Sequence, residues 1–208
     1  MQRKEQILKT AVALFNDRGY ANVSLREIAK EAGTTIGNLT YHFPKKEDLV
    51  LSLLDTLQTR FILDVPENKH RAELLSHLLN SFLTAEQNEK AHPFYYKNIY
   101  DLTMCSETLA KRNKIFQKDL YDYYIHILTT LKEDRVLKES VRDSDISAMS
   151  YMIVLSTAAW MQINAPYCND LLPNFRISVV LLQMVQANIS EEYEAEFRKL
   201  AEEKGMLP

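Results

Sequence analysis

Apolar residues recur along the chain at the three- and four-residue spacing of amphipathic helices. Near the N-terminus Ile7, Ala11 and Phe15 fall on one face. Gly19 follows them, and glycine suits the left-handed backbone that ends many helices. The pattern therefore predicts a first helix that ends at Gly19.

A second helix is predicted from the capping signals around Ser24. The Ser24 side chain can cap the helix, and Glu27, three residues later, can reach back to the capping residue. Val23 can pack on Ile28 as a hydrophobic staple. Gly33 ends this helix, which is therefore short.

A third short helix fits residues 35–43, because Pro44 cannot continue a helix. Ala29 is small enough for the second and third helices to cross closely, and Gly33 supplies the turn between them. Leu39 holds the third helix against the first. This order of helix, tight turn and helix predicts a helix-turn-helix whose second helix reads DNA.

The remaining periodicity predicts longer helices. They lie around residues 46–63, 107–133, 144–164, 174–188 and 191–203, and two further helices have their apolar positions within 74–83 and 94–100. The helices at 144–164 and 174–188 are apolar nearly all round, so each buries more than one face. In a chain of 208 residues a partner subunit is the expected cover for the extra face. We therefore expect a homodimer through these two helices, packed with the partner's copies as a four-helix bundle.

The predicted fold class is all-α, in two parts. Three short helices give way to long ones near residues 44–47, which places the domain boundary there. Residues 1–46 are expected to form a helix-turn-helix DNA-binding domain. Residues 47–208 are expected to form a larger helical domain, which holds the two helices predicted to meet a partner subunit.

Composition excludes several other classes. The 208 residues include only 4 Gly and 6 Pro, which argues against a β-sandwich, a Rossmann fold or a glycine-rich phosphate loop. The net charge is −3, but residues 1–50 hold 8 Lys or Arg and 6 Asp or Glu, a net charge of +2. The weakly basic part of the chain is thus the part predicted to bind DNA.

Two features bear on where the protein works. Cys105 and Cys168 lie 63 residues apart without a C-x-x-C pair, as expected for a reducing cytoplasm. The uncharged stretch 146–169 contains several polar residues and Pro166 and has no basic flank, so we interpret it as a buried soluble helix. The N-terminal residues lack the apolar run of a signal peptide. We expect a cytoplasmic protein without a membrane segment.

The surface of the predicted reading helix carries hydrogen-bonding side chains of modest size, which suit phosphate oxygens and base edges. Gly37 costs helix stability, and close approach of its backbone to DNA would explain it. Lys45 and Lys46 stand at the next helix N-terminus, which also favours a phosphate. The candidate DNA-binding residues are Thr34, Thr35, Gly37, Asn38, Thr40, Tyr41, His42 and Lys46.

The stretch from about residue 5 to 50 resembles the N-terminal domain of TetR/AcrR-type transcriptional regulators. The matching residues are Ile7, Ala11, Phe15, Gly19, Tyr20, Ser24, Ile28, Ala29, Ala32-Gly33, Gly37-Asn38-Leu39, Tyr41-His42-Phe43, Lys46-Glu47 and Leu49. That many matches in order make a specific signal. The helix count of the remainder also fits the larger C-terminal domain of that family.

The resemblance implies a homodimer that binds a palindromic double-stranded DNA operator as a repressor. A small-molecule effector bound in the C-terminal domain would reposition helix 46–63 and release the DNA. Two residues depart from the family pattern. Ile36 stands where many members have Lys or Arg, and Thr40 where most have Tyr. Both departures remove phosphate contacts, so we expect a shallower salt dependence than in basic members.

Aromatic residues and methionines of the second half are candidates for an effector pocket. The set chosen is Tyr96, Tyr100, Met104, Tyr123, Tyr124, Met152 and Trp160. The alternative for each of them is a place in the ordinary core.

Enzyme and metal chemistry find little support in the sequence. The pairs Glu67–His70 and Glu89–His92 have the Glu-x-x-His spacing of di-iron bundles, but both lie at predicted helix ends in polar surroundings. No nucleophile elbow, H-E-x-x-H or phosphate loop is present. We expect neither a metal nor another cofactor.

Two alternatives to a regulator stay open: a TetR-like interaction protein or co-activator that binds a protein partner, and an enzyme on an all-α bundle.

Overall fold

The computed structural model describes residues 2–61, 71–167 and 176–207, with the side chains of all but residues 2, 58–61 and 160–167. Within these ranges the chain is all-α, as predicted. The helices are α1 (Gln2–Arg18), α2 (Leu25–Glu31), α3 (Ile36–His42), α4 (Lys46–Phe61), α5 (Arg71–Ala91), α6 (Pro93–Cys105), α7 (Glu107–Glu133), α8 (Asp143–Tyr167), α9 (Ile177–Gln186) and α10 (Glu191–Glu203). Among the helices of these ranges, none combines the length and apolar character that crossing a membrane requires.

The start of α2 confirms the predicted capping box. The Ser24 hydroxyl accepts a hydrogen bond from the Glu27 backbone N–H at 3.3 Å, and a Glu27 carboxylate oxygen accepts from the Ser24 backbone N–H at 2.8 Å. Both exchanges satisfy N–H groups that the first turn of a helix leaves without a partner. Val23 and Ile28, the predicted staple, are both buried.

The turn between α2 and α3 also forms as predicted. Gly33 has φ +62°, a left-handed conformation that L side chains rarely adopt. The next N–H, that of Thr34, donates to the Ala29 carbonyl at 2.9 Å and closes the turn. The helix-turn-helix is therefore fixed by short-range hydrogen bonds and one glycine.

The chain divides into two compact units. The first comprises Met1–Thr59 and Ala91–Phe116, and the second comprises Arg60–Lys90 and Gln117–Pro208. The first unit therefore holds α4 as far as Thr59 and all of α6, in addition to the three helices predicted for the DNA-binding domain. The predicted boundary at residue 46, placed where short helices give way to long ones, stays a prediction.

In the first unit, the side chain of Asn16 on α1 holds the break between α5 and α6. Its amide N–H donates to the Ala91 carbonyl at 3.0 Å, and its amide oxygen accepts from the Phe94 N–H at 3.2 Å. The rings of Phe15 and Phe94 lie 5.1 Å apart beside it. The start of α6 is thus tied to α1 by polar and aromatic contacts together.

In the second unit, a buried carboxylate joins α5 to α9 and to the C-terminal tail. Glu86 accepts hydrogen bonds from the Arg176 guanidinium at 3.0 and 3.1 Å, from Lys90 at 2.5 Å and from the Ser178 hydroxyl. Arg176 donates further to the Gly205 carbonyl at 2.6 Å. A buried charge needs such pairing, because loss of one partner leaves the other uncompensated.

Helix α9 ends two residues earlier than the predicted 188, and the reason is tertiary. Leu137 and Ile189 form an isolated antiparallel bridge, and the Lys138 N–H donates to the Asn188 carbonyl at 2.9 Å. The helix ends where the chain forms this pairing, and no local sequence pattern predicts it. Residues 174 and 175 of the prediction, and 62 and 63 of the predicted fourth helix, lie outside the described residues.

Candidate nucleic-acid interface

Helix α3 is anchored on one side and open on the other. Thr35 caps it, its hydroxyl accepting from the Asn38 N–H at 3.2 Å. Leu39 and Phe43 are buried and fix the inner side. The side chains on the remaining surface are exposed or half-buried, so the helix presents the predicted reading surface to solvent.

Exposure varies sharply across this surface. Tyr41 is 82% exposed and Ile36 42% exposed. Thr35 and Gly37 are exposed, and the other predicted residues of the helix-turn-helix are half-buried. The ring of Tyr41 meets that of His42 edge-on, with centroids 5.2 Å apart. His42 is thus half-buried, while Tyr41 extends outward.

Two hydroxyl and amide donors on this surface are already engaged. The Asn38 amide N–H donates to the Thr34 hydroxyl at 2.8 Å. The Thr40 hydroxyl donates within its own helix, to the carbonyls of Ile36 at 2.9 Å and Gly37 at 3.2 Å. Asn38 therefore keeps its amide oxygen as an acceptor and its second N–H as a donor, whereas the Thr40 proton is committed to the backbone.

Gly37 is not required by the packing of the protein itself. A Cβ atom added at this position would meet no atom within 4 Å, and the backbone φ is not left-handed. Packing of the free chain therefore does not explain a glycine here, and close approach of its backbone to DNA stays a prediction.

Lys46 points inward rather than to the surface. Its Nζ donates to the Tyr20 carbonyl and lies 4.2 Å from the centroid of the Tyr20 ring. Burial lowers the pKa of the Lys46 ammonium, and the nearby Glu27 opposes the shift. The predicted contact of Lys46 with DNA would require its Nζ to leave Tyr20, and it stays a prediction. Lys45 beside it is exposed.

One basic residue that sequence reasoning missed adjoins the reading helix. Lys4, exposed on α1, has its Nζ 5.6 Å from the centroid of the Phe43 ring. It can supply a positive charge next to α3. The only sequence signal was its place in the weakly basic N-terminal part, because Lys4 lies 39 positions before Phe43 in the chain.

The predicted effector residues are distributed over both units. In the first unit α6 carries Tyr96, which is buried, and Tyr100 and Met104, which are 65% and 69% exposed. In the second unit Tyr123 and Tyr124 lie on α7 and Met152 on α8. The Trp160 side chain lies outside the described side chains.

The two tyrosines of the second unit have the character of core residues. Tyr124 is fully buried, with its ring 6.2 Å from that of Phe82. Burial raises the pKa of Tyr123 to about 12 and raises that of Tyr124 further. Both hydroxyls therefore stay protonated at neutral pH.

Nothing in the described part of the chain assembles a metal centre. No group of three or more His, Cys, Asp or Glu side chains in those residues could hold an ion. Of the two spaced pairs in the sequence, Glu67 and His70 lie outside the described residues. Glu89 lies on α5 and His92 caps α6.

Comparison with known proteins agrees with this geometry. The family model of the bacterial regulatory proteins of the tetR family matches residues 7–53. KstR2, an HTH-type transcriptional repressor of Mycobacterium tuberculosis, is 31% identical over 100 residues, which are 46% of this chain and 50% of KstR2. The matches to curated relatives span between 18% and 50% of the length of those proteins.

Solved structures extend the likeness to the whole chain. A TetR-family transcriptional regulator from Marinobacter aquaeolei VT8 has a TM-score of 0.79 at 20% identity, over 100% of both chains. SmeT in complex with triclosan has a TM-score of 0.69 at 17% identity, over 92% of this chain and 93% of SmeT. SmeT is the repressor of a multidrug efflux pump of Stenotrophomonas maltophilia. At these identities the shared property is the fold.

Proposed function

We propose that the protein, whose residues 7–53 match the family model of the tetR family of bacterial regulatory proteins, is a DNA-binding transcriptional regulator that responds to a small molecule. It acts as a repressor: the free dimer binds a palindromic operator, and the effector releases it. The observation that carries the proposal is the open outer surface of α3, where Gly37 leaves space that the protein does not use.

DNA contact is assigned to the surface around α3. Thr34, Thr35, Asn38, Thr40 and His42 lie along the helix-turn-helix, Gly37 admits the backbone, and Tyr41 extends furthest into solvent. Hydroxyl, amide and imidazole groups bind phosphate oxygens and base edges. Lys46 joins this set only if its ammonium leaves the Tyr20 carbonyl on DNA binding.

Dimerisation is assigned to α8 and α9. Tyr151, Met152 and Leu155 on α8 are 60%, 45% and 44% exposed, which makes a continuous apolar strip along that helix. Large exposed apolar surface on one face is typical of a protein–protein interface. A second copy of the chain would cover it, and two reading helices would then meet successive major grooves.

The effector is assigned to the larger, C-terminal part of the chain, with Tyr123 and Tyr124 of the second unit as predicted lining residues. Two buried polar atoms of the second unit, the Ser150 hydroxyl oxygen and one Glu89 carboxylate oxygen, have no hydrogen-bond partner among the described residues. A buried polar group without a hydrogen-bond partner costs free energy of folding, and a bound polar molecule could supply the missing partners. The SmeT–triclosan complex shows that a neighbour of this fold binds a small molecule.

The signal would reach α4 through contacts within the first unit. The Ser106 hydroxyl, between α6 and α7, donates to Glu47 in the first turn of α4. Arg112 on α7 donates to Asp55 of α4 at 2.7 and 3.1 Å. A ligand that binds the released arrangement more tightly than the DNA-competent one shifts the population between them.

The protein is a regulator rather than an enzyme, and it works in the cytoplasm.

The experiment that tests the proposal is selection of bound fragments from sheared genomic DNA, without added ligand, with Gly37→Glu as control. Since position 37 faces open space, the variant is expected to fold, as its circular dichroism and Tm will report. An enriched near-palindrome that the variant loses would support the regulator. No enrichment, either alone or with cell extract added, would contradict it.

A further inference from the structure

The side chain of Ile36 is an apolar group placed where the rest of the reading surface is polar. It is the first residue of α3 and is 42% exposed. Leu39 on the same helix and Phe43, which follows it as the C-cap, are both buried. A single exposed apolar side chain means little by itself, but this one stands in the surface to which DNA contact is assigned.

The neighbours of Ile36 make the same spot poor in free hydrogen-bond donors. The Thr40 hydroxyl, one turn later, gives its proton to the Ile36 carbonyl at 2.9 Å. Gly37 contributes no side chain. Besides the hydroxyl of the capping Thr35, this end of α3 therefore offers a base edge chiefly the hydrocarbon of Ile36.

We propose that Ile36 reads the C5-methyl group of a thymine in each operator half-site; this rests on the proposed function. In the major groove the four bases present acceptors and donors, and thymine alone among them presents a methyl group. An isoleucine set against a carbonyl or amino group would bury it without a partner, which costs free energy. When the isoleucine packs against a methyl group instead, the apolar surfaces of both groups are removed from water.

The inference also accounts for the absence of charge at this position. Lys or Arg here would add a phosphate contact and steepen the dependence of affinity on salt without selecting a base. Ile36 lacks that sequence-independent attraction to phosphate and instead discriminates at one base pair. The class of DNA favoured is a half-site with thymine at the position that faces the start of α3.

The test uses the duplex enriched by the genomic selection and removes thymine methyl groups one symmetric pair at a time. Deoxyuridine in place of thymine keeps the base pairing and the O4 acceptor and deletes only the methyl. Affinity of the full-length protein is measured by fluorescence anisotropy at fixed salt, for the wild type and for Ile36→Ala. Ile115→Ala, at an isoleucine of α7 that is 51% exposed, is the matched control.

At one symmetric pair of thymines, replacement by deoxyuridine should weaken wild-type binding about 4-fold for each half-site. This is the change in affinity expected when one methyl group is no longer buried. In Ile36→Ala the same replacement should change affinity less than about 2-fold, while Ile115→Ala keeps the wild-type response. Equal sensitivity of wild type and Ile36→Ala at every thymine would overturn the inference and leave the regulator standing. Failure of the wild type to bind any duplex would overturn both.

Discussion

The ammonium of Lys46 lies 4.2 Å from the centroid of the Tyr20 ring and donates to the carbonyl of the same residue. A lysine at the start of α4 thus holds the loop that precedes α2. The residue has two possible roles, a brace within the first unit or a phosphate contact on DNA, and they differ in what a substitution changes.

Lys46→Met should lower the free energy of unfolding by about 1–3 kcal/mol, because it removes a charged hydrogen bond and a cation–π contact. Lys45→Met, at the exposed neighbour, should leave stability within about 0.5 kcal/mol. Urea denaturation checks both. If Lys46→Met instead keeps its stability and lowers the salt slope of DNA binding by about 0.9, the residue is a phosphate ligand.

Gly37→Ala should separate stability from DNA affinity. The added methyl meets open space in the free protein, and alanine favours a helix over glycine by up to about 1 kcal/mol. We therefore expect a slightly higher Tm together with weaker operator binding. Gly33→Ala is the contrasting control, since its left-handed φ of +62° makes any side chain strained and should lower Tm. Unchanged operator affinity in Gly37→Ala would show that DNA does not approach the backbone there.

Glu89 should make the protein less stable as pH rises through neutrality. Burial, together with the nearby Glu86 carboxylate, raises the pKa of Glu89 to about 7 from its ordinary 4.5. The folded protein therefore keeps the proton where the unfolded chain has lost it, and stability falls between about pH 4.5 and pH 7. Glu89→Gln should raise Tm at pH 8 and change it little at pH 5.

Glu86→Gln is the matched comparison on the same helix. Burial by itself would raise the pKa of Glu86. Hydrogen bonds from Lys90, Ser178 and Arg176 nevertheless hold this pKa below its ordinary value. This carboxylate stabilises the fold above its unfolded pKa, so Glu86→Gln should lower Tm at pH 8. A Tm difference between Glu89→Gln and wild type that is the same at pH 5 and pH 8 would contradict the assignment for Glu89.

Leu155→Glu should convert the dimer to monomers. The charge would be buried against a second copy of the apolar strip of Tyr151, Met152 and Leu155, where no partner charge is expected. Analytical ultracentrifugation measures the state, and operator affinity should fall at least tenfold as bivalent binding is lost. Ile115→Glu, at an exposed isoleucine outside that strip, should stay dimeric. A dimeric Leu155→Glu would place the interface elsewhere.

The sequence by itself determined the helix-turn-helix and most helix boundaries. The capping box of Ser24 and Glu27, the turn at Gly33 and the end of α3 before Pro44 depend on residues within four positions of one another. Backbone hydrogen bonds and side-chain periodicity act over this range, and a single sequence records them directly. The exposed surface of α3 follows from the same register, because burying Leu39 and Phe43 turns the other side outward.

Only the tertiary structure decided which distant residues meet. Lys46 lies 26 positions from Tyr20, and Asn16 lies 75 positions from Ala91. A periodic pattern says that a face is buried, but it does not name the surface that covers it. The inward turn of Lys46, and the early end of α9 at the bridge between Leu137 and Ile189, therefore follow from packing and long-range hydrogen bonds, which exist only once the chain has folded.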